Sequence, residues 1–94
     1  MALVITKQSD IYEINGELNS QNINSFKGYF DFLIEQSAFI KLSLNKVINL
    51  DLSGVQFITS LYRKAVAKNK AFFIVDLNNK DLVALFKNEN VFTY

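Results

Sequence analysis

The sequence predicts an α/β fold: a mixed four- to five-stranded β-sheet with helices packed against it, in the order β-β-α-β-α-β-α. Two stretches, from Ile23 and from Val55, repeat apolar residues at steps of three and four. Short β-prone runs stand between and around them, separated by turn-forming residues rather than Pro-rich linkers. Strands alternating with helices need crossover connections, which lay the helices against a sheet containing parallel pairs. Of the 94 residues, 50% are hydrophobic and 14% aromatic. That is enough apolar material for a core, and the length suits one domain over residues 1–94.

Leu3 to Thr6 and Ile11 to Asn15 read as short strands, with Ser9-Asp10 as the turn of a hairpin between them. Asn15-Gly16 has tight-turn composition, but the helical pattern that soon follows makes it a strand end. Ile23, Phe26, Phe30, Leu33 and Ile34 fall on one helical stripe, widened by Tyr29 and Phe32, while Lys27, Asp31 and Glu35 face away. Asn19, Ser20 or Asn22 can cap this helix. The period then changes, and Ile40, Leu42 and Leu44 alternate with Phe39, Lys41 and Ser43 as in a half-buried strand. After a loop from Asn45 to Asp51, a second stripe comprises Val55, Ile58, Leu61, Tyr62, Ala65 and Val66. Ala71 to Val75 is continuously apolar, which suits a central strand covered on both faces. Leu82, Leu85 and Phe86 form a short third helix, capped from Asn78 or Asn79 with Asp81 in its first turn. Val91 to Tyr94 reads as a stub of edge strand. Phe26, Phe30, Phe72 and Phe73 are expected in the core, and Tyr62 at a helix–sheet contact.

Composition narrows the chemistry. Ten Lys and Arg against nine Asp and Glu leave a net charge of +1, no field for nucleic acid or an anionic membrane. Arg63, Lys64, Lys68 and Lys70 read as cations at the negative end of a helix. With no Cys and no His, disulfides, thiolate zinc sites, imidazole ligands and Ser-His-Asp catalysis are excluded. The expectation is a non-enzyme with no catalytic residue, no metal and no cofactor. The short apolar run before Thr6 is too small for a signal peptide, and no run approaches the ~20 residues that span a bilayer. A cytoplasmic location without direct membrane insertion is expected.

One segment carries more than packing. In Asp51-Leu52-Ser53-Gly54-Val55 a Ser-Gly pair opens a helix, and Gln56 stands three residues after Ser53. Ser-x-x-Gln is a capping box, so Ser53 is expected at the N-cap. A hydroxyl there also lies where backbone N–H groups and the macrodipole favour an anion. A phosphate would add about −1.5 to −2 charge without unfolding the domain. Gly54 is expected to leave the backbone beside the hydroxyl open, and Asp51 adds negative charge. Phe57, off the helical stripe beside this motif, is expected as an exposed aromatic anchor for a partner.

Ile14-Asn-Gly-Glu-Leu-Asn19, Leu42-Ser-Leu and Asp51-Leu-Ser-Gly-Val, in this order and spacing, resemble the STAS domains (sulfate transporter and anti-sigma-factor antagonist). The resemblance covers nearly the whole chain. The second and third segments correspond to the family's strand before the loop and to its Asp-Ser-Ser-Gly-Leu motif. The resemblance implies that Ser53 is the phosphorylatable serine. It implies a partner-binding face of Asp51, Leu52 and Gly54, with Asn19 and Glu17 nearby. The chain departs from the family pattern at Leu52, where a serine is usual, and at Asn19, where an aspartate is usual. It also stops near where the family adds a last strand and helix, as a minimal version would. The implied function is that of an anti-sigma-factor antagonist. Its partners would be an anti-sigma factor that is itself an ATP-binding, histidine-kinase-like serine kinase, and a serine phosphatase that resets the cycle. The ATP would belong to the kinase. A second branch of the family implies a soluble subunit docked on the transporter ATPase of an ABC-type lipid-transport complex. A different class, a small-ligand or nucleotide-binding domain, has only one helix N-terminus to offer a phosphate.

Overall fold

The structure, a computed structural model, describes residues 4–48, 50–91 and 93. Among these, β1 (Val4–Gln8), β2 (Ile11–Glu17), α1 (Ile23–Gln36), β3 (Phe39–Ile48), α2 (Leu52–Ala67), β4 (Ala71–Val75) and α3 (Lys80–Asn88) follow the expected order. The sheet runs β1-β2-β3-β4, with β1 antiparallel to β2 and the other pairs parallel. Pairing of Gln8 with Ile11 leaves Ser9-Asp10 as the hairpin loop, where Ser9 takes a left-handed backbone (φ 55°). The expected terminal stub is a single parallel bridge from Thr93 to Ile74. Leu3, Phe92 and Tyr94, also assigned to strands from the sequence, lie outside the described residues.

One face of the sheet carries the core. Tyr12 and Ile14 of β2, Ile40, Leu42 and Leu44 of β3, and Phe72 and Ile74 of β4 are buried with Phe30, Leu33 and Ile34 of α1, Val55, Ile58, Leu61 and Ala65 of α2, and Phe86 of α3. This corrects the expectation for Ala71 to Val75. β4 lies at the sheet's edge rather than its centre, and its residues alternate between buried (Phe72, Ile74) and exposed or half-buried (Ala71, Phe73, Val75). Tyr62 is half-buried, its ring edge-on to Phe72 at 6.2 Å, as expected of a helix–sheet contact. Tyr29, Phe32 and Val66 do not widen the core stripes. All three are exposed: Phe30, Leu33 and Ile34 fill the buried side of α1, and Val55, Ile58, Leu61 and Ala65 that of α2.

β3 runs further than the alternation implied, through most of the expected loop. Its register with β2 steps from Glu13↔Ser43 to Asn15↔Lys46, so β3 holds one residue more than β2 across this interval. The extra residue makes a bulge, which bends a strand and leaves an amide outside the ladder. Here the Asn45 N–H turns to the buried Ser43 hydroxyl at 3.4 Å. Pairing then resumes through Gly16↔Val47 and Glu17↔Ile48, which keeps β3 on the sheet up to the approach to α2.

The basic cluster is occupied within the fold. Lys64 Nζ donates to Asp31 Oδ1 at 2.9 Å, Lys68 pairs with Glu35, and Lys70 Nζ donates to the Glu35 carbonyl at 3.0 Å. Arg63 pairs with Glu89 at 3.1 Å. These contacts tie α2 to α1 and α3. The hydrogen bond from Lys68, its charge, and lesser contributions from Lys64 and Lys70 hold the Glu35 carboxyl below its ordinary value of 4.5. A carboxyl depressed by folding adds stability above its unfolded pKa, and that stability is lost as pH falls through the folded value. In Lys68→Gln the Glu35 carboxyl should titrate closer to 4.5, as read from its carbon shift by NMR. The pair is solvent-exposed, so thermal stability at pH 7 should barely change.

Candidate functional site

The parallel strands β2, β3 and β4 each run directly into a helix, so their carboxyl ends and the helix N-termini share one end of the molecule. In open α/β sheets that end carries function. The contact that organises it is between Gly54 and Leu18. Leu18 is fully buried just beyond β2, and a Cβ built on Gly54 would stand 2.7 Å from the Leu18 carbonyl oxygen and would also strike the Leu50 side chain. Only glycine lets the first turn of α2 approach the end of β2 this closely. Gly54 is therefore buried, and the open space expected beside the serine is filled here by Leu18 and Leu50.

Asp51, not Ser53, is the N-cap of α2. Its backbone is extended (φ −93°, ψ −179°), and its Oδ1 accepts from the Gly54 N–H at 2.9 Å. The capping box expected between Ser53 and Gln56 does not form. An Asp N-cap closes on the third N–H of the helix, here that of Gly54, which places Ser53 two residues inside the helix. The consequence is chemical: the half-buried Ser53 hydroxyl has no capping task. Among the described residues, the N–H groups of Leu52 and Ser53 make no hydrogen bond. They and the helix dipole favour negative charge at this point.

The segment Glu17–Asn22 forms the other wall. Asn22 precedes α1 but does not cap it with its side chain. Instead its Oδ1 accepts from the Asn19 N–H at 3.0 Å and its Nδ2 donates to the Glu17 carbonyl at 2.5 Å. Asn19 Oδ1 accepts from the Gln21 N–H at 2.9 Å, and Asn19 Nδ2 donates to Glu17 Oε2 at 3.3 Å. Through Leu18 and Gly54 this rigid turn is set against the start of α2. The structure thus brings Glu17 and Asn19 to the same end as Asp51, Leu52 and Ser53. Leu52 is strongly exposed (59%), and so is Ile48 at the end of β3 (44%). Sequence reasoning placed Ile48 in a loop and missed it, and it missed Leu18, whose place after Gly-Glu was the available signal.

Phe57 is a correction. It is buried (8% exposed), and its ring meets Phe30 edge-on at 6.0 Å. It falls off the sheet-facing stripe because it faces α1 instead, on the same side of α2 as Lys64 and Lys68. No group of three or more potential metal-ligating side chains occurs among the described residues, and no helix there is long and apolar enough to cross a membrane.

The STAS domain family model matches residues 2–91. The chain belongs to the STAS domain family. Among solved structures, the anti-sigma factor antagonist SpoIIAA in its unphosphorylated form matches with a TM-score of 0.77 at 15% identity, covering 99% of this chain and 87% of that one. SpoIIAA of Bacillus in its phosphorylated form matches at 0.76 and 15%, covering 99% and 89%. A putative anti-sigma factor antagonist from Thermotoga maritima gives 0.75 and 23%, covering 98% and 85%. A complex of the diguanylate cyclase SiaD with its activator SiaC from Pseudomonas aeruginosa gives 0.63 and 11%, covering 98% and 88%. No curated protein matches the sequence significantly.

The local geometry sets an order of stabilities, measurable by urea unfolding. Gly54→Ala should cost about 1–3 kcal/mol, since the Leu18 backbone must give way. Asp51→Ala should cost about 1 kcal/mol as a lost cap. Ser53→Ala should stay within about 0.5 kcal/mol. Reversal of the last two would restore Ser53 as the cap.

Proposed function

We propose that this STAS domain is an anti-sigma-factor antagonist-like binding switch, controlled by phosphorylation of Ser53. The observation that carries the reading is the division of labour in the first turn of α2. Asp51 caps the helix, which leaves the Ser53 hydroxyl free for modification. The docking face comprises Asp51, Leu52 and Ser53 with Glu17 and Asn19, and buried Gly54 sets the distance between the two segments. Phosphate on Ser53 adds about two negative charges beside Asp51 and Glu17, and repels a partner fitted to the unmodified face. The likeness to SpoIIAA, solved with and without phosphate, supports the reading, and SiaC in its complex with SiaD is a related fold engaged with a protein. The partner is an anti-sigma factor of the ATP-binding, histidine-kinase-like serine kinase type, and a serine phosphatase restores the hydroxyl. On this reading the chain is a cytoplasmic regulator of transcription without enzymatic activity of its own.

The exposed Leu52 supports a second reading. An apolar side chain where the family usually has serine suits permanent docking, as on the ATPase of a lipid-transport complex. Quantitative affinity capture from native lysate separates the two, with the unmodified chain and Ser53→Asp as paired baits. The switch requires a serine kinase held by the first and reduced at least about tenfold on the second. A transporter ATPase held equally by both would replace the switch with the docked-subunit reading.

A further inference from the structure

At the end of the sheet, β3 outruns its neighbour. Its pairing with β4 stops at Ser43↔Val75, while its pairing with β2 continues to Glu17↔Ile48. After Val75 the chain turns through Asp76 in a left-handed conformation (φ 58°) and leaves the sheet for α3. The bulge of β3 lies at the same level. Lys46 to Ile48 therefore have a strand on the β2 side and none on the β4 side among the described residues. Beside this overhang is a slot of about 260 Å³. Leu44 and Val47 form one wall, Leu77 and Leu82 the other, and the amides of Asn45 and Asn78 stand at its rim, 3.3 Å apart. No charged side chain lines it among the described residues.

We propose that this slot binds an extended, uncharged peptide segment of a partner protein, added to the overhang of β3 as a short strand with one aliphatic side chain inside. An open strand edge offers backbone N–H and C=O groups that an extended peptide pairs with directly. The aliphatic walls select an apolar side chain, and a charged one would lose its hydration with no counter-charge to replace it. Asn45 and Asn78 use one hydrogen bond on each other and keep further donors and acceptors for peptide backbone. The volume falls below the roughly 300 Å³ at which cofactor-sized sites begin, and suits one side chain with its flanking backbone. β1, the strand whose edge a second copy would offer, carries the exposed Lys7, which suits an uncharged slot less well than an uncharged peptide. The slot shares the functional end of the molecule with Ser53 but uses none of its atoms.

The test is an NMR titration of the ¹⁵N-labelled full chain with a synthetic hexapeptide, acetylated and amidated, alternating Thr with Val or Leu. Saturable shifts are expected at residues 44–48 and 77–82, with slower exchange at those amides of Lys46 to Ile48 that face away from β2, and the same affinity in Ser53→Asp. Leu77→Glu should bind about tenfold more weakly. Because Leu77 also packs on the core, Asn78→Asp serves as a second variant that alters only an exposed rim amide, and it should weaken binding as well. No saturable shift at millimolar peptide, shifts centred elsewhere, or undiminished binding by both variants would overturn the proposal. A dimer of the free chain that Asn78→Asp dissolves would assign the slot to a second copy and overturn it too.

Discussion

The approach of Gly54 to the Leu18 carbonyl is the constraint on which the functional end depends. Two chain segments far apart in sequence, the end of β2 and the start of α2, meet at a distance that no other side chain would allow. β3 lies between them in the chain and pairs with β2 as far as Glu17↔Ile48, which delivers α2 to the right height. The network of Asn19 and Asn22 then holds the Glu17–Asn22 turn in shape. Remove the glycine and the turn, the cap and the serine lose their common frame, although the core below them would remain.

That frame is what the proposed switch at Ser53 relies on in so small a domain. Melting α2 to admit a phosphate would cost the core Val55, Ile58 and Leu61. On the proposed reading, a half-buried hydroxyl in a first turn that is already capped avoids this cost. Its modification changes the charge that a partner meets while Asp51 keeps its bond to Gly54. Leu52 and Ile48 give the same face an apolar component beside its carboxylates, which is the surface the proposed partner would meet. The surface cations that could have suggested nucleic acid are engaged with Asp31, Glu35 and Glu89.

Much of this was legible in the sequence. The stripes of α1 and α2, apart from Tyr29, Phe32 and Val66, and the motif Asp51-Leu-Ser-Gly-Val are legible in place, because 3.6-residue periodicity and Ser-Gly punctuation are local signals. What failed was non-local. Ala71 to Val75 looks doubly buried because Phe73 and Val75 are as apolar as Phe72 and Ile74, and sequence alone does not reveal that the second face stays only half-buried. Phe57 looked exposed because periodicity locates the sheet but not the neighbouring helix α1. The cap was misassigned because Asp51 and Ser53 are both good N-caps, and the choice was made by the contact of Gly54 with Leu18. The bulge that carries β3 to Ile48 is a matter of pairing register, and no residue pattern announced it.

The most direct test of the central claim is the ¹⁵N–¹H spectrum of the chain carrying phosphoserine at position 53, compared with the unmodified chain. If the serine is a surface switch on a fixed frame, shift changes will be confined to residues 17–20 and the first turns of α2, with the core amides of β3, β4 and α1 unmoved. Changes spreading through those core strands and helices would mean that phosphate acts by reorganising the fold, and would contradict the account.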